Sequence, residues 1–125
     1  MWSVIRILYL LTLIGTAAKA ETTVKEYRST ISSKDQAKIA FTKLYVTGIA
    51  AGILAANARL DTLNQNLLYC PPESLVLNTD NYLDILEREI TTLSKRGMPI
   101  AMLDDMPISF VILGSLQENF PCRSK

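Results

Sequence analysis

The spacing of apolar residues predicts three main helices, over residues 33–57, 80–95 and 107–119, and no stretch alternates for long enough to indicate a strand. The helix over 80–95 has the clearest pattern, because leucines and isoleucines recur every three or four residues and line one face. Gly97 follows it as a residue that can end a helix in a left-handed turn. Residues 21–32 support a short amphipathic helix at best. The chain is therefore predicted to be all-α, a small single-domain helical bundle.

The helix over 33–57 is predicted to lie at the centre of this bundle. Ser33 is expected to begin it, with Gln36 completing a capping box. From Leu44 to Ala56 the sequence has no charged residue and is apolar nearly all round, which is typical of a buried helix. This run of thirteen residues is shorter than the about 20 that span a bilayer.

Small residues recur every four positions along the same helix, at Gly48, Gly52 and Ala56. A glycine in a helix interior costs about 1 kcal/mol relative to alanine. Because two such glycines share one face, we expect Gly48 and Gly52 to allow close packing of another helix. That helix belongs either to the same chain or to a second subunit, and the spacing alone does not distinguish the two. A second stripe, of large residues, recurs every seven positions: Ile39, Val46, Ile53 and Leu60.

The first twenty residues have the features of a secretory signal peptide. Arg6 supplies the basic start, residues 7–14 form an apolar run of eight residues, and Ala18-Lys19-Ala20 supplies a small-residue cleavage site. A membrane anchor is the alternative, but the apolar run is far shorter than the about 20 residues that a spanning helix needs. We therefore expect residues 1–20 to be removed, leaving a single domain over 21–125.

Composition argues against several classes of function. The chain carries 13 basic and 12 acidic residues, so it has no basic surplus to hold nucleic acid or an anionic membrane surface. Histidine is absent, which removes the usual general base and the usual partners of cysteine in a zinc site. The sequence therefore predicts a binding protein with no cofactor and no metal, rather than an enzyme.

Cys70 and Cys122 are the only cysteines, and in an exported chain they are predicted to form a disulfide. The alternative is two free, buried cysteines. Closing a loop of about 50 residues contributes roughly 4 kcal/mol by chain entropy if the bond is unstrained. The bridge would thus supply a large part of the stability of a domain of this size.

A candidate contact loop follows the helix over 80–95. It combines two cations, a flexible glycine, a methionine expected to be exposed and a stiff proline. The alternative interpretation is that this segment only ends the helix and makes no contact with a partner. Its residues are Ser94, Lys95, Arg96, Gly97 and Met98, with Pro99 next.

Three blocks of sequence, in the same order and over most of residues 21–125, carry a family resemblance. The first runs from Lys43-Leu44-Tyr45-Val46-Thr47-Gly48-Ile49 through Gly52 to Ala56-Asn57-Ala58. The second is Leu68-Tyr69-Cys70-Pro71-Pro72, followed by Leu77 and Asn81-Tyr82-Leu83-Asp84-Ile85-Leu86. The third is Phe120-Pro121-Cys122. Together they resemble the amidase immunity proteins of type VI secretion systems.

The resemblance implies a small helical protein of the Gram-negative periplasm, commonly a homodimer, that binds and inhibits a peptidoglycan amidase effector injected by sibling cells. In similar members a loop between helices enters the catalytic cleft of the amidase, where a Cys-His pair cuts the peptide cross-links of the wall. By its position between helices, the segment Leu93–Pro99 corresponds to that loop. No membrane partner is expected once the signal peptide is removed.

The alternative function is a small periplasmic helical chaperone or stress protein. Such a protein would keep the apolar segment Leu44–Ala56 hidden and expose it to client proteins on acidification.

Cleavage of the signal peptide is the first testable expectation. N-terminal sequencing of the exported protein should find Glu21 as the first residue. The small residues Ala18 and Ala20 occupy the third and the first position before that cut, as an A-x-A cleavage site requires. An exported chain that still begins at Met1 would contradict the signal-peptide interpretation and favour the anchor.

Overall fold

Five helices and their connections make up residues 21–122, which the computed structural model describes. The predicted signal peptide over 1–20 lies outside the described residues. The all-α prediction is confirmed, since the described part of the chain contains no strand. The helices are α1 (Val24–Ser32), α2 (Gln36–Thr62), α3 (Thr79–Lys95), α4 (Ile100–Asp104) and α5 (Ile108–Asn119).

Helix α3 has nearly the predicted limits because both of its ends are encoded locally. The Asn78 side chain accepts a hydrogen bond from the backbone N–H of Asn81 at 3.0 Å, and the Asn81 side chain accepts one from the N–H of Asn78 at 2.9 Å. This reciprocal capping satisfies two of the free N–H groups at the start of the helix.

The start of α2 differs from the prediction. Asp35, not Ser33, is the N-cap, and its carboxylate accepts from the N–H of Lys38 at 3.1 Å. The prediction was wrong because α1 extends to Ser32, so that Ser33 ends that helix instead, with its hydroxyl donating to the carbonyl of Thr30 at 2.7 Å. Asp35 is then the next residue able to cap α2.

The end of α2 also differs, because the helix continues past the predicted limit at Asn57 to Thr62. Asn57 is a buried residue that binds the returning chain. Its side-chain amide donates to the carbonyl of Tyr69 at 2.9 Å, and its side-chain oxygen accepts from the N–H of Leu68 at 2.7 Å. The reversal between them uses Asn64 in the left-handed region at φ 53°, which asparagine tolerates better than most residues.

The predicted disulfide between Cys70 and Cys122 is confirmed. It ties the segment after α2 to the segment after α5, with the two Cα atoms 4.9 Å apart. Beside it the N–H of Cys70 donates to the carbonyl of Phe120 at 2.8 Å, and the rings of Tyr69 and Phe120 lie 6.5 Å apart between centroids. The covalent bond therefore belongs to a small packed junction rather than standing alone.

The core lies where α3 and α5 pack against each other, with α1, α2 and α4 around them. Backbone hydrogen bonds fix the start of α1 to the connection between α4 and α5. The N–H of Val24 donates to the carbonyl of Met106, and the N–H of Ile108 donates to the carbonyl of Thr22. The side chains that are fully buried are Val24, Tyr27, Val46, Leu86, Ile90, Leu103, Ile108, Val111, Ile112 and Leu116.

The prediction that α2 is the central buried helix is wrong. Of its 27 residues only Val46, Ala50 and Asn57 are buried, whereas Phe41 and Leu44 are 74% and 68% exposed. The stripe of large residues does face the core, since Val46 is buried and its three companions are half-buried. The opposite face lies outside because α3 and α5 already cover each other and leave α2 only one face to bury.

Gly48 and Gly52 lie on this outer side of α2. A Cβ atom placed on either glycine would meet nothing within 4 Å. The prediction that these glycines allow close packing against a helix of the same chain is therefore wrong for the described residues. The physical reason is the same, because the other helices cover the opposite face of α2. The second alternative, packing against another subunit, stays a prediction.

By length and composition alone, α2 could also cross a membrane. One 18-residue window within it has a mean hydropathy of 1.6, and 11% of that window is buried. The estimate of thirteen residues counted only the charge-free run and not the whole helix, so it was too short to exclude a span.

Removal of the disulfide tests how far the junction stabilises the domain. Replacing both cysteines, Cys70→Ser with Cys122→Ser, should lower the free energy of unfolding by about 4 kcal/mol, because the unfolded chain regains the freedom of a long loop. Urea denaturation measures this difference. A reductant should bring the wild type to the stability of the variant and leave the variant unchanged. Equal stability of the variant and the oxidised wild type would contradict the prediction.

Candidate functional site

The candidate contact loop is a tight turn between α3 and α4. Ser94 and Lys95 belong to the last turn of α3, Arg96 ends that helix, and Pro99 begins α4. Only Gly97 and Met98 lie between the two caps. The segment Ser94–Gly97 is exposed to solvent along its whole length. The structure thus places the predicted site residues together, but on a short turn and not on a long projecting loop.

Backbone hydrogen bonds hold this turn in a Schellman motif. The N–H of Gly97 donates to the carbonyl of Ser94 at 3.1 Å, and the N–H of Met98 donates to that of Leu93, also at 3.1 Å. The motif requires a left-handed residue at its centre, and Gly97 takes that conformation with φ 88°. Pro99 fixes the next φ angle. The turn is therefore ordered by its own sequence.

Arg96 attaches the turn to α5. Its two terminal nitrogens bind the two carboxylate oxygens of Glu118 at 2.8 and 3.1 Å, which is the paired geometry that a guanidinium favours. The hydrogen bonds from Arg96 lower the pKa of Glu118, and Glu118 in return raises the pKa of Arg96. Arg96 is therefore engaged within the domain, whereas Lys95 makes no ion pair among the described residues.

Met98 is not the exposed residue that the sequence suggested. It is half-buried and packs against the core, so it anchors the turn from below. The exposed apolar side chains are those of α4, where Ile100 is 71% and Met102 is 60% exposed. Neither residue was among the site residues predicted from the sequence. The available signal was an apolar run from Ile100 to Leu103 on a helix too short to bury more than one of its residues, which is Leu103.

A polar groove of about 570 Å³ lies between α3 and α5, with Arg96 and Glu118 among its lining residues. It contains Glu89, which is only 7% exposed. Loss of hydration raises the pKa of the Glu89 carboxyl, and the negative charge of Glu118 raises it further. The positive charge of Arg96 and a hydrogen bond with Ser115 act in the opposite direction. Charges of both signs therefore act on the Glu89 carboxyl in this groove, next to the turn.

The described residues hold neither a free cysteine nor a group of side chains suited to a metal ion. Both cysteines are in the disulfide, and no three Cys, Asp or Glu residues within 21–122 are grouped in a way that could hold a metal ion. What the arrangement presents is an exposed, hydrogen-bonded turn that carries the cation Lys95 and is followed along the chain by two exposed apolar side chains, Ile100 and Met102. We call these three residues together with Ser94 and Gly97 the turn surface.

Comparisons with known protein families, curated proteins and solved structures find no match to this chain. The resemblance to the amidase immunity proteins therefore depends on the sequence blocks alone.

Replacement of Glu89 tests the electrostatics of the groove. A carboxyl whose pKa is raised by folding favours the native state when protonated, so its contribution is lost as the pH rises through the folded pKa. Glu89→Gln should therefore match the wild type at acid pH, below the ordinary value of 4.5, and gain stability relative to it as the pH approaches neutral.

Thermal denaturation across the pH range measures this difference. Glu73→Gln, which removes an exposed carboxylate from the loop before α3, is the matched control for the loss of one negative charge. A Glu89→Gln variant that is less stable than the wild type at neutral pH, and equal to it at acid pH, would reverse the sign of the expected effect.

Proposed function

We propose that this protein is a periplasmic immunity protein, which binds a peptidoglycan amidase effector of a type VI secretion system and inhibits it by occluding the active-site cleft. The observation that carries the proposal is the turn surface. It is exposed, ordered by local bonds, and mounted on a helical domain that a disulfide closes. The sequence blocks around Cys70 and Cys122 supply the family to which the proposal belongs.

Order in the free protein supports a role as an inhibitor. Binding is weakened by the entropy that is lost when a flexible loop becomes fixed. Here the turn is already fixed by the hydrogen bonds of Gly97 and Met98, by Pro99 and by the ion pair of Arg96 with Glu118. A turn of this kind can fill a cleft with little further loss of freedom, and no chemistry is required of it.

The composition of the turn surface also suits a protein interface. Binding energy concentrates in a few apolar or aromatic side chains that become fully buried, with polar groups around them. Ile100 and Met102 are large, exposed and apolar, and the exposed cation Lys95 precedes them along the chain at the end of α3. Lys95 would also complement the thiolate of a Cys-His catalytic pair, since the thiolate is the reactive and negatively charged form.

The structure changes the roles within the proposed site. Ser94, Lys95 and Gly97 would make contact with the amidase, together with Ile100 and Met102. Arg96 and Met98 would position the turn, because the first binds Glu118 and the second packs against the core. Replacing Met98 would therefore lower stability before it affected any contact.

The alternative function, a chaperone that unmasks Leu44–Ala56 on acidification, loses its premise. That segment was expected to be hidden, yet most of its residues are exposed within the described part of the chain. No observation on the structure now favours this alternative.

A charge-reversed turn surface tests the proposal. Lys95→Glu combined with Ile100→Glu should weaken inhibition of the peptidoglycan amidase that the wild-type protein binds by about 30-fold or more, because loss of a central interface residue typically costs about 2 kcal/mol. Titration of peptidoglycan hydrolysis with each variant measures the effect. Val76→Glu is the matched control, since Val76 is also apolar and exposed but lies in the loop before α3.

Two results would contradict the proposal at different levels. A folded double variant that inhibits as well as the wild type would exclude the turn surface as the contact. A wild-type protein that binds no cell-wall amidase would exclude the function itself.

A further inference from the structure

The polar groove between α3 and α5 has no part in the proposed function. Its volume of about 570 Å³ lies within the range of sites that hold small ligands. Five charged side chains line it, four from α3 and one from α5: Asp84, Arg88, Glu89, Arg96 and Glu118.

Four of these five charges are paired or lie in water. Arg96 binds Glu118 through two hydrogen bonds. Asp84 and Arg88 are exposed and opposite in sign, and the Nε of Arg88 donates to the backbone carbonyl of Asp84 at 3.3 Å. Glu89 is the exception. It is only 7% exposed, and no cation lies within ion-pair distance of its carboxylate among the described residues.

We infer that this groove is a binding site for a cationic group, an ammonium or a guanidinium carried on an apolar stem, with the Glu89 carboxylate as its acceptor. The groove lies next to the turn surface but shares none of its residues. The inference does not depend on the proposed function.

The carboxylate of Glu89 has unused capacity as an acceptor. An ionised carboxylate has two oxygens with room for about four hydrogen bonds. The hydrogen bond with Ser115 uses one of these positions, and the same hydroxyl also accepts from the side-chain amide of Asn119 at 3.2 Å. Because Glu89 lines the groove, a donor group that enters the groove can reach the remaining positions.

The stability of the fold does not explain a carboxylate at this position. Burial and the charge of Glu118 both raise the pKa of Glu89, so its ionised form lowers the free energy of unfolding near neutral pH. A residue that lowers stability in this way is typical of a functional site. A bound cation would offset the effect, because it supplies the opposite charge that a buried carboxylate needs.

The other lining residues favour a cation on an apolar stem. Leu77, Ile85 and Phe120 contribute apolar surface to the groove. Lysine and arginine side chains bury their methylene groups on such surfaces while their charged heads bind polar groups. An anion is disfavoured, because with Glu89 ionised the lining carries three negative charges and two positive ones. A basic side chain of a partner protein and a free small amine both supply this chemistry.

A blocked lysine, Nα-acetyl-lysine amide, tests the site in the exported, oxidised protein. Nuclear magnetic resonance titration should show saturable shifts of the backbone amides of Glu89, Thr92 and Ser115. Glu89→Gln should weaken this binding by about tenfold or more, since a hydrogen bond to a charged group typically contributes that much. The variant is expected to be the more stable protein near neutral pH, so unfolding would not account for the loss.

Two controls accompany this titration. Glu73→Gln, which removes an exposed carboxylate outside the groove, should bind as the wild type does. Nα-acetyl-norleucine amide, which has the same four-carbon stem without the charge, should not bind. Absence of saturable shifts in the wild type, equal binding of the norleucine analogue, or undiminished binding by Glu89→Gln would each overturn the inference.

The titration of the Glu89 carboxyl provides a second readout. Its charged neighbours in the free protein are Glu118 from α5 and Asp84, Arg88 and Arg96 from α3. These groups are present with and without the ligand, so a difference reports the added cation. Saturation with the blocked lysine should lower the pKa of Glu89 toward the ordinary value of 4.5, because a nearby cation favours the ionised form. A pKa that stays unchanged at saturation would overturn the inference.

An amidase that the protein inhibits separates the two sources of the cation. If a basic side chain of the amidase occupies the groove, Glu89→Gln should weaken inhibition and the blocked lysine should compete with the amidase. If a free amine occupies it, Glu89→Gln should inhibit as the wild type does, and the complex should still bind the blocked lysine. Both results support the site. A protein that binds no amidase would contradict the proposed function alone, because the titration with the blocked lysine tests the groove by itself.

Discussion

The rest of the structure depends on the junction where the chain leaving α2 meets the chain leaving α5. Asn57 binds the peptide groups of Leu68 and Tyr69, and the disulfide joins the next residue, Cys70, to Cys122. The N–H of Cys70 also donates to the carbonyl of Phe120. A buried amide side chain and a covalent bond therefore act on consecutive residues. Without either one the long second helix would be held to the domain mainly by a single narrow face.

The same junction supports the turn surface. Glu118 lies two residues before Phe120 and binds Arg96, which ends α3. The disulfide, the end of α5 and the turn after α3 are thus connected through adjacent residues. This connection gives the cysteines a physical role in the proposed inhibition. The disulfide fixes the end of α5, where Glu118 binds Arg96 of the turn, although the cysteines themselves are not proposed to contact the amidase.

Two surfaces of the domain are built by different principles. The turn surface is short and depends on bonds within its own backbone, with a few exposed large side chains around a glycine. The outer face of α2 is long, and small residues recur along it every four positions at Gly48, Gly52 and Ala56. In the proposed function the first surface fills the cleft of another protein, whereas the second has no part in it.

The sequence alone determined the features that arise from neighbouring residues. The limits of α3, the role of Gly97 and the pairing of the only two cysteines could all be predicted, because local hydrogen bonds, glycine conformation and cysteine count do not depend on distant contacts. The start of α2 at Asp35, the binding of the returning chain by Asn57 and the burial of Met98 depend on where other segments end, so the tertiary structure decided them. The largest difference is α2 itself. From Leu44 to Ala56 its residues are apolar nearly all round, so the stripe of large residues marked a face that would be covered, but nothing in the pattern showed that the opposite face would stay open. That choice was made by α3 and α5, which bury each other and leave α2 with one face inside and one outside.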